Sequence, residues 1–459
     1  MGDTSRRGVY SRGRGPASRK RSLLLAIGLI LGPPCVAVAR PGDAEPVRRV
    51  DLGPFRIRVA RSPVRLAVEM GGRTILAERA RRDSAAVALL DASLWRPLGD
   101  RLSVEERGKD RAVVTAALPH DPAPVVMDLR REDRSGVTVL VVSIDDARAL
   151  AIRQDLVPGH GEAFFPPPDG PRVIPGVLSA GSARGGLRER LLLSSRGYGI
   201  HLEAPQGSAT RAFRPDPDSL RLEAAGSAYR MRLLPGSPKD ALRALAILGL
   251  LPAEGVEPPR PGAVESWEGL REAVTRALGS SLLSPKLPPL AAASGVRDPE
   301  LRARVLLASA FLSPIVPEPS GAPDAPSAGA LPPGVQGLLA SLFDRHSADW
   351  KKEGLGAVRP LVVEHPSEPE AWKEAGEWLL GPDLVVAPVL EAGKPSREVW
   401  LPPGSWMAVR SADGAPDVVR GPTRLRVDLS LDGIEIGLFV RESAPALCKE
   451  IREAFALAR

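Results

Sequence analysis

Few side chains in this 459-residue sequence have the type and spacing to do chemistry. Gly159-His160-Gly161-Glu162 puts an imidazole and a carboxylate on a glycine-bounded turn, where they could touch a ligand or simply face solvent. Four carboxylates, Asp298, Glu300, Glu318 and Asp324, fall in one stretch near the middle. Asp298 and Glu300 have a structural explanation: Asp298-Pro299-Glu300 reads as a helix N-cap, a first-turn proline and an acid that favours the helix dipole. Glu318 and Asp324 lie in a Pro/Ala/Gly/Ser-rich segment over 315–334 that reads as a loop. Trp372, Trp378, Trp400 and Trp406 offer aromatic faces for stacking, although rings of that size more usually fill cores. Histidines at 120, 160, 201, 346 and 365 have no metal-ligand spacing, and the sequence contains no phosphate loop, G-x-S-x-G elbow or H-E-x-x-H pair. Neither a metal nor a cofactor is expected.

The elements that must position these groups follow from periodicity. Residues 50–235 read as β, with short runs at Phe55–Val59, Arg65–Glu69, Ala112–Thr115 and Val137–Val142 separated by Gly, Pro and Asp clusters. A helical period follows. Ser237-Pro238 opens a helix carrying Leu242, Leu245 and Leu248, and Glu268–Leu278 puts Leu270, Val274 and Leu278 on one stripe. A third helix runs from Asp298 to Phe311 and a fourth from about Val335 to Lys352. A strand at Val358–Val363 and a short helix around Glu370–Leu380, holding both Trp372 and Trp378, come next. From Asp383 the pattern returns to strands at 384–387, 398–401, 425–428 and 438–440.

The formal net charge is +7, but residues 1–39 hold seven of the basic residues against Asp3 alone, and the remainder balances to +1. A basic nucleic-acid face is therefore not expected. Arg19-Lys20-Arg21, the apolar run Leu23–Leu31 and Ala37-Val38-Ala39 have the three-part layout of a secretory signal, and the run is short for a membrane span. An exported, periplasmic or extracellular protein is expected, with no stable membrane insertion after cleavage; an uncleaved anchor is the alternative. Beyond that leader only Cys448 remains, which leaves no intramolecular disulfide. With 18 aromatics, three glutamines and no asparagine, the chain is poorly supplied for a deep pocket that reads an uncharged ligand.

Three stretches resemble glycoside hydrolase family 31, the α-glucosidase and α-xylosidase family. Arg359 through Trp406, RPLVVEHPSEPEAWKEAGEWLLGPDLVVAPVLEAGKPSREVWLPPGSW, is similar to the family's end of barrel and C-terminal sandwich, including its G-P-D-L strand and L-P-P-G-x-W turn. Gly433–Ala444, GIEIGLFVRESA, resembles a later strand of the same region, with Gly437 where proline is usual. Leu191–Pro205, LLLSSRGYGIHLEAP, with the Gly159–Glu162 turn before it, resembles the N-terminal sandwich. ESWEGLREAVTRALGSSLLSP and DPELRARVLLASAFLSP resemble the second half of the catalytic barrel, with Arg304 at the family's helix arginine and Val305 in place of its tryptophan neighbour.

The resemblance implies an α+β multidomain fold: an N-terminal β-sandwich over 40–236, a truncated (β/α) barrel remnant over 237–382 and a C-terminal β-sandwich with a terminal helix over 383–459. It also implies retaining glycosidase chemistry, which requires two carboxylates about 5–5.5 Å apart. The family's nucleophile stands in a W-x-D-M-N-E strand. No asparagine occurs in this chain and no tryptophan lies between Trp95 and Trp267. A (β/α)₈ barrel takes about 250 residues, whereas Ala241 to Val363 is 123. The position of the acid/base falls near Ala292, and the family's sugar-binding histidine falls within Ile315–Glu318. The expectation is a catalytically deficient relative. It would retain a carbohydrate ligand through His160, Glu162 and Arg304, and pair with itself or another chain through its open half-barrel. The alternative is a residual α-glycosidase using Glu318 and Asp324 as a replacement dyad.

Overall fold

The computed structural model describes residues 47–456 except 62–63, 80–86, 92–93, 100–101, 119–120, 169–188, 206–207, 252–263, 291–295, 315–330, 332, 395, 410–415 and 429–435. The expected leader, the position of Ala292, and Glu318 and Asp324 lie outside the described residues.

Strict alternation builds the first sheet. Phe55, Ile57 and Val59 of strand Phe55–Ala60 are buried while Arg56 and Arg58 face out. This strand pairs antiparallel with Arg48–Leu52 and Arg65–Met70, and Arg73–Ala77 completes a four-stranded meander. An eight-stranded antiparallel sheet follows, in the order 164–165, 189–194, 198–203, 228–235, 137–145, 121–134, 111–118, 102–106. A five-stranded sheet is ordered 210–213, 220–225, 151–156, 87–91, 94–97.

The eight-stranded sheet is apolar on both faces at strands 137–145 and 189–194. Leu140, Val142 and Ile144 enter one core with the four- and five-stranded sheets. Their neighbours Val139 and Val141 enter a second core, as Leu191 and Leu193 do while Leu192 points the other way. A strand buried on both sides reads as a continuous apolar run rather than an alternating one, which explains VTVLVVSI and LLLS.

The second core is roofed by helices. α1 (Pro238–Leu248) begins with a capping box in which Ser237 and Asp240 satisfy each other's backbone N–H, and ends on left-handed Gly249. α2 (Trp267–Ser280) is capped by Ser266, and α3 (Pro299–Leu312) by Asp298, whose carboxylate accepts from the Glu300 N–H. α4 (Pro333–Glu353) follows. From Pro238 to Ala357 the described residues hold these four helices and no strand. The strand–helix alternation that a barrel remnant requires is not found there among the described residues.

The last sheet has six strands, ordered 358–360, 378–380, 384–388, 436–441, 396–408, 418–428. Three local expectations are corrected here. The strand expected over Val358–Val363 stops at Pro360, and Leu361–Glu364 form one helical turn, α5, closed by the His365 N–H on the Leu361 carbonyl. The helix expected around Glu370–Leu380 is a set of turns near Glu370 followed by a strand. Trp378, Leu379 and Leu380 are buried between strands 358–360 and 384–388, so pairing on two edges overrides the helical spacing. The L-P-P-G-x-W segment, expected as a turn, is an irregularity inside strand Ser396–Ala408, where the register shifts between Leu401 and Gly404. α6 (Pro445–Ala456) packs against α4 and buries Cys448 and Ile451.

Candidate functional site

The Gly159–Glu162 turn is a structural latch. The Glu162 carboxylate is buried and accepts from the Gly159 N–H at 2.5 Å, the Tyr198 hydroxyl at 2.5 Å and the Ser194 hydroxyl. Burial and the adjacent carboxylate push the Tyr198 phenol well above its ordinary range, so it stays a donor. These three donors occupy Glu162, whereas His160 is exposed on the same turn. Arg304 is withdrawn into the core at 7% exposure, within α3. Of the expected ligand contacts, His160 faces solvent, whereas Glu162 and Arg304 are buried, on the turn and within α3 respectively.

The tryptophans belong to the core. Trp378 and Trp406 are fully buried, with indole N–H groups on the Phe311 carbonyl at 3.2 Å and the Pro402 carbonyl at 2.8 Å. Trp372 donates to the Pro366 carbonyl at 2.9 Å, and the Arg441 guanidinium covers the Trp406 ring at 4.5 Å. Trp400 is 2% exposed. None of the four presents an open face.

Arg359 organises the junction of helices and last sheet. Its guanidinium, 5% exposed, donates to the Gly356 carbonyl, to Glu364 at 2.8 Å and to Asp349 at 2.9 Å. Lys239 of α1 reaches Glu364 at 2.5 Å. Burial alone would raise the Glu364 pKa, but hydrogen bonds from Lys239 and Arg359 hold it below the usual carboxylate range. Next to it, burial drives His365 down to about 4, so this imidazole is neutral at physiological pH.

A cleft lies elsewhere, between α2 and the last sheet, with a volume of about 640 Å³. Arg271 of α2, Lys394, Arg397, Arg424 and Arg426 line it, with Glu374, Glu391 and Glu398. Beneath it, fully buried Glu377 accepts from Arg397 at 2.7 Å and from the Trp400 N–H at 3.1 Å. Burial outweighs those donors and pushes Glu377 up to about 8. The described residues contain no cluster of three or more His, Cys, Asp or Glu able to hold a metal. No described helix is long and apolar enough to cross a membrane.

Residues 354–444 match the family model described as the glycosyl hydrolase family 31 C-terminal domain. Over that stretch the chain is similar to glycoside hydrolase family 31. Among curated relatives, it is 32% identical over 124 residues to a SITS-binding protein of Tetronarce californica, covering 26% of this chain and 17% of that one. It is 39% identical over 59 residues to a 1,3-alpha-isomaltosidase of Kribbella flavida, covering 13% and 8%. A sulfoquinovosidase of Agrobacterium fabrum is 35% identical over 89 residues, covering 18% and 13%. The matches thus span less than a fifth of each relative's length. A family 31 sulfoquinovosidase from E. rectale, solved with an aza-sugar inhibitor, shares the fold with a TM-score of 0.55 at 10% identity, over 87% of this chain and 99% of that one.

Within the matched family 31 domain, Arg359 and Trp406 prove to be packing and ion-pair residues. The cleft cations were missed by sequence reasoning, which looked for carboxylate pairs. The signal that could have found two of them is the Arg424-x-Arg426 alternation, which puts both guanidinium groups on one side of an exposed strand.

Proposed function

We propose that this family 31-like protein holds a carbohydrate without hydrolysing it, after export directed by the Arg19–Ala39 leader. The observation that carries the reading is the run from Pro238 to Ala357, where a barrel enzyme presents its catalytic carboxylates on strand ends and the described residues form helices only. On this reading the chain keeps the N-terminal sheets and the six-stranded C-terminal sheet as the frame, with helices standing in place of the barrel between them. The missing W-x-D-M-N-E strand and the alignment of Ala292 with the acid/base support the same conclusion. Association with a second copy or another chain through the shortened middle remains part of the proposal.

The test is turnover of an aryl α-glucoside and α-xyloside panel by the full chain, alongside thermal melts with and without oligosaccharides. Ligand-dependent stabilisation with no release of aryl alcohol is expected. Turnover lost on Glu318→Ala or Asp324→Ala would refute the reading in favour of the residual hydrolase.

A further inference from the structure

The cleft between α2 and the last sheet is charged in a way that structural needs do not explain. Arg397 is committed to Glu377 at 2.7 Å. Arg424 reaches Glu370 at 2.7 Å and Glu374 at 3.6 Å, and Lys394 pairs with Glu391. Two cations are left over. Among the described residues Arg271 hydrogen-bonds only the Leu390 carbonyl, at 3.4 Å, and acts on Glu391 through charge without contact. Among the same residues Arg426 hydrogen-bonds only the Ser396 hydroxyl, at 2.9 Å, and neither arginine forms an ion pair. Both are exposed. Glu398 stands directly across the strand pair from Arg426 and forms no ion pair with it. Opposite charges at facing positions ordinarily attract.

The cleft thus combines two guanidinium groups that form no ion pair among the described residues with a carboxylate that can accept hydrogen bonds, in a volume of about 640 Å³, within the range of about 300–1,000 Å³ typical of ligand sites. No aromatic side chain is among its described lining, so it lacks the stacking platform that suits a neutral sugar ring. Guanidinium forks match carboxylate oxygens in pairs, and a fixed carboxylate accepts from hydroxyls. We propose that this cleft binds an acidic sugar unit, its anionic group on Arg271 and Arg426 and its hydroxyls toward Glu398. The proposal rests on the carbohydrate-holding reading above and gives that reading a place and a ligand class.

The probes are trigalacturonate, an α-linked uronate trimer, and maltotriose, an α-linked neutral trimer, titrated calorimetrically into the full chain at low salt. Trigalacturonate should bind at least tenfold tighter than maltotriose, weaken as salt rises, and lose at least tenfold in the Arg271→Ala/Arg426→Ala variant. Both side chains are exposed, so the variant's melting temperature should stay at the wild-type value; Arg271→Glu alone provides a second reading of the same site. Equal affinity for the two trimers, undiminished binding in both variants, or no binding of trigalacturonate overturns the proposal. Inorganic sulfate binding as tightly as trigalacturonate also overturns it, because the sugar then contributes nothing. Maltotriose binding alone would leave the carbohydrate-holding reading standing and remove this one. Failure of both trimers to bind, with aryl glycoside turnover, would remove both.

Discussion

Glu78 follows the first sheet's last strand and forms a bridge to Leu156 of the five-stranded sheet. Its carboxyl is buried, accepting from the Leu66 N–H at 2.5 Å and from the Gln154 amide, while Tyr229 donates to the other end of that amide at 2.6 Å. No cation among the described residues pairs with it at contact distance, and burial pushes its pKa from 4.5 up to about 7. Between pH 4.5 and 7 the native state therefore holds a proton that the unfolded chain has released. Stability from this site is fully present below pH 4.5, falls as pH rises, and is gone above pH 7. A shift of this size corresponds to about 3 kcal/mol at about 1.4 kcal/mol per pH unit.

Glu78→Gln removes the titration and keeps the shape. The new amide still accepts from Leu66, and a flip of Gln154 with rotation of the Tyr229 hydroxyl restores the remaining bonds. The variant and wild type should melt together at pH 4.5, and the variant should melt about 3 °C higher at pH 8, taking unfolding entropy at about 2.1 cal/mol/K per residue. Subtracting the two melting curves at each pH cancels other buried acids such as Glu377. A difference that stays flat from pH 4.5 to 8 would refute the reasoning, because Glu78 would then be ionised in both states or in neither.

Glu162→Ala strands the Gly159 N–H and the Ser194 and Tyr198 hydroxyls. It should cost about 2–4 kcal/mol in denaturant unfolding, while trigalacturonate affinity measured on the folded fraction stays at the wild-type value. Gly354→Ala forces an L side chain to φ +68° with its Cβ 2.5 Å from the Leu242 carbonyl oxygen. The backbone of α1 cannot yield as a side chain tip would, so a loss of at least about 2 kcal/mol is expected in the same assay.

Much of the frame was legible because its signals are local. Ser237 and Asp298 cap helices where a hydroxyl or carboxylate precedes an apolar stripe. Strands near Phe55 and Val137 carried their own apolar patterns. The failures are non-local. Trp378 sits six residues from Trp372, a spacing readable as helix, and only the strands on either side make it extended. Glu162 looked available because its three donors come from Gly159, Ser194 and Tyr198, two of them more than thirty positions away. The cleft was the least legible feature. Arg271 and Arg426 are far apart in sequence, and each alone is indistinguishable from a solvated arginine.

The two faces of the eight-stranded sheet explain how such a chain folds with so little between its sheets. One face is closed by the four- and five-stranded sheets, so it needs nothing from the middle of the chain. The other exposes Val139, Val141, Leu191, Leu193 and Leu234 unless something covers them. α1 supplies Ala241, Leu242 and Leu245 to that face, and the same continuous core runs through α2, α3 and α4 to Trp378 and Val386 of the last sheet. Covering an apolar face requires helices with apolar stripes, and it does not require the parallel strands that carry catalytic groups in a barrel. On the proposed reading, helices in place of those strands would remove chemistry without exposing the core. The cleft between α2 and the last sheet is bounded by elements that the core itself holds in place.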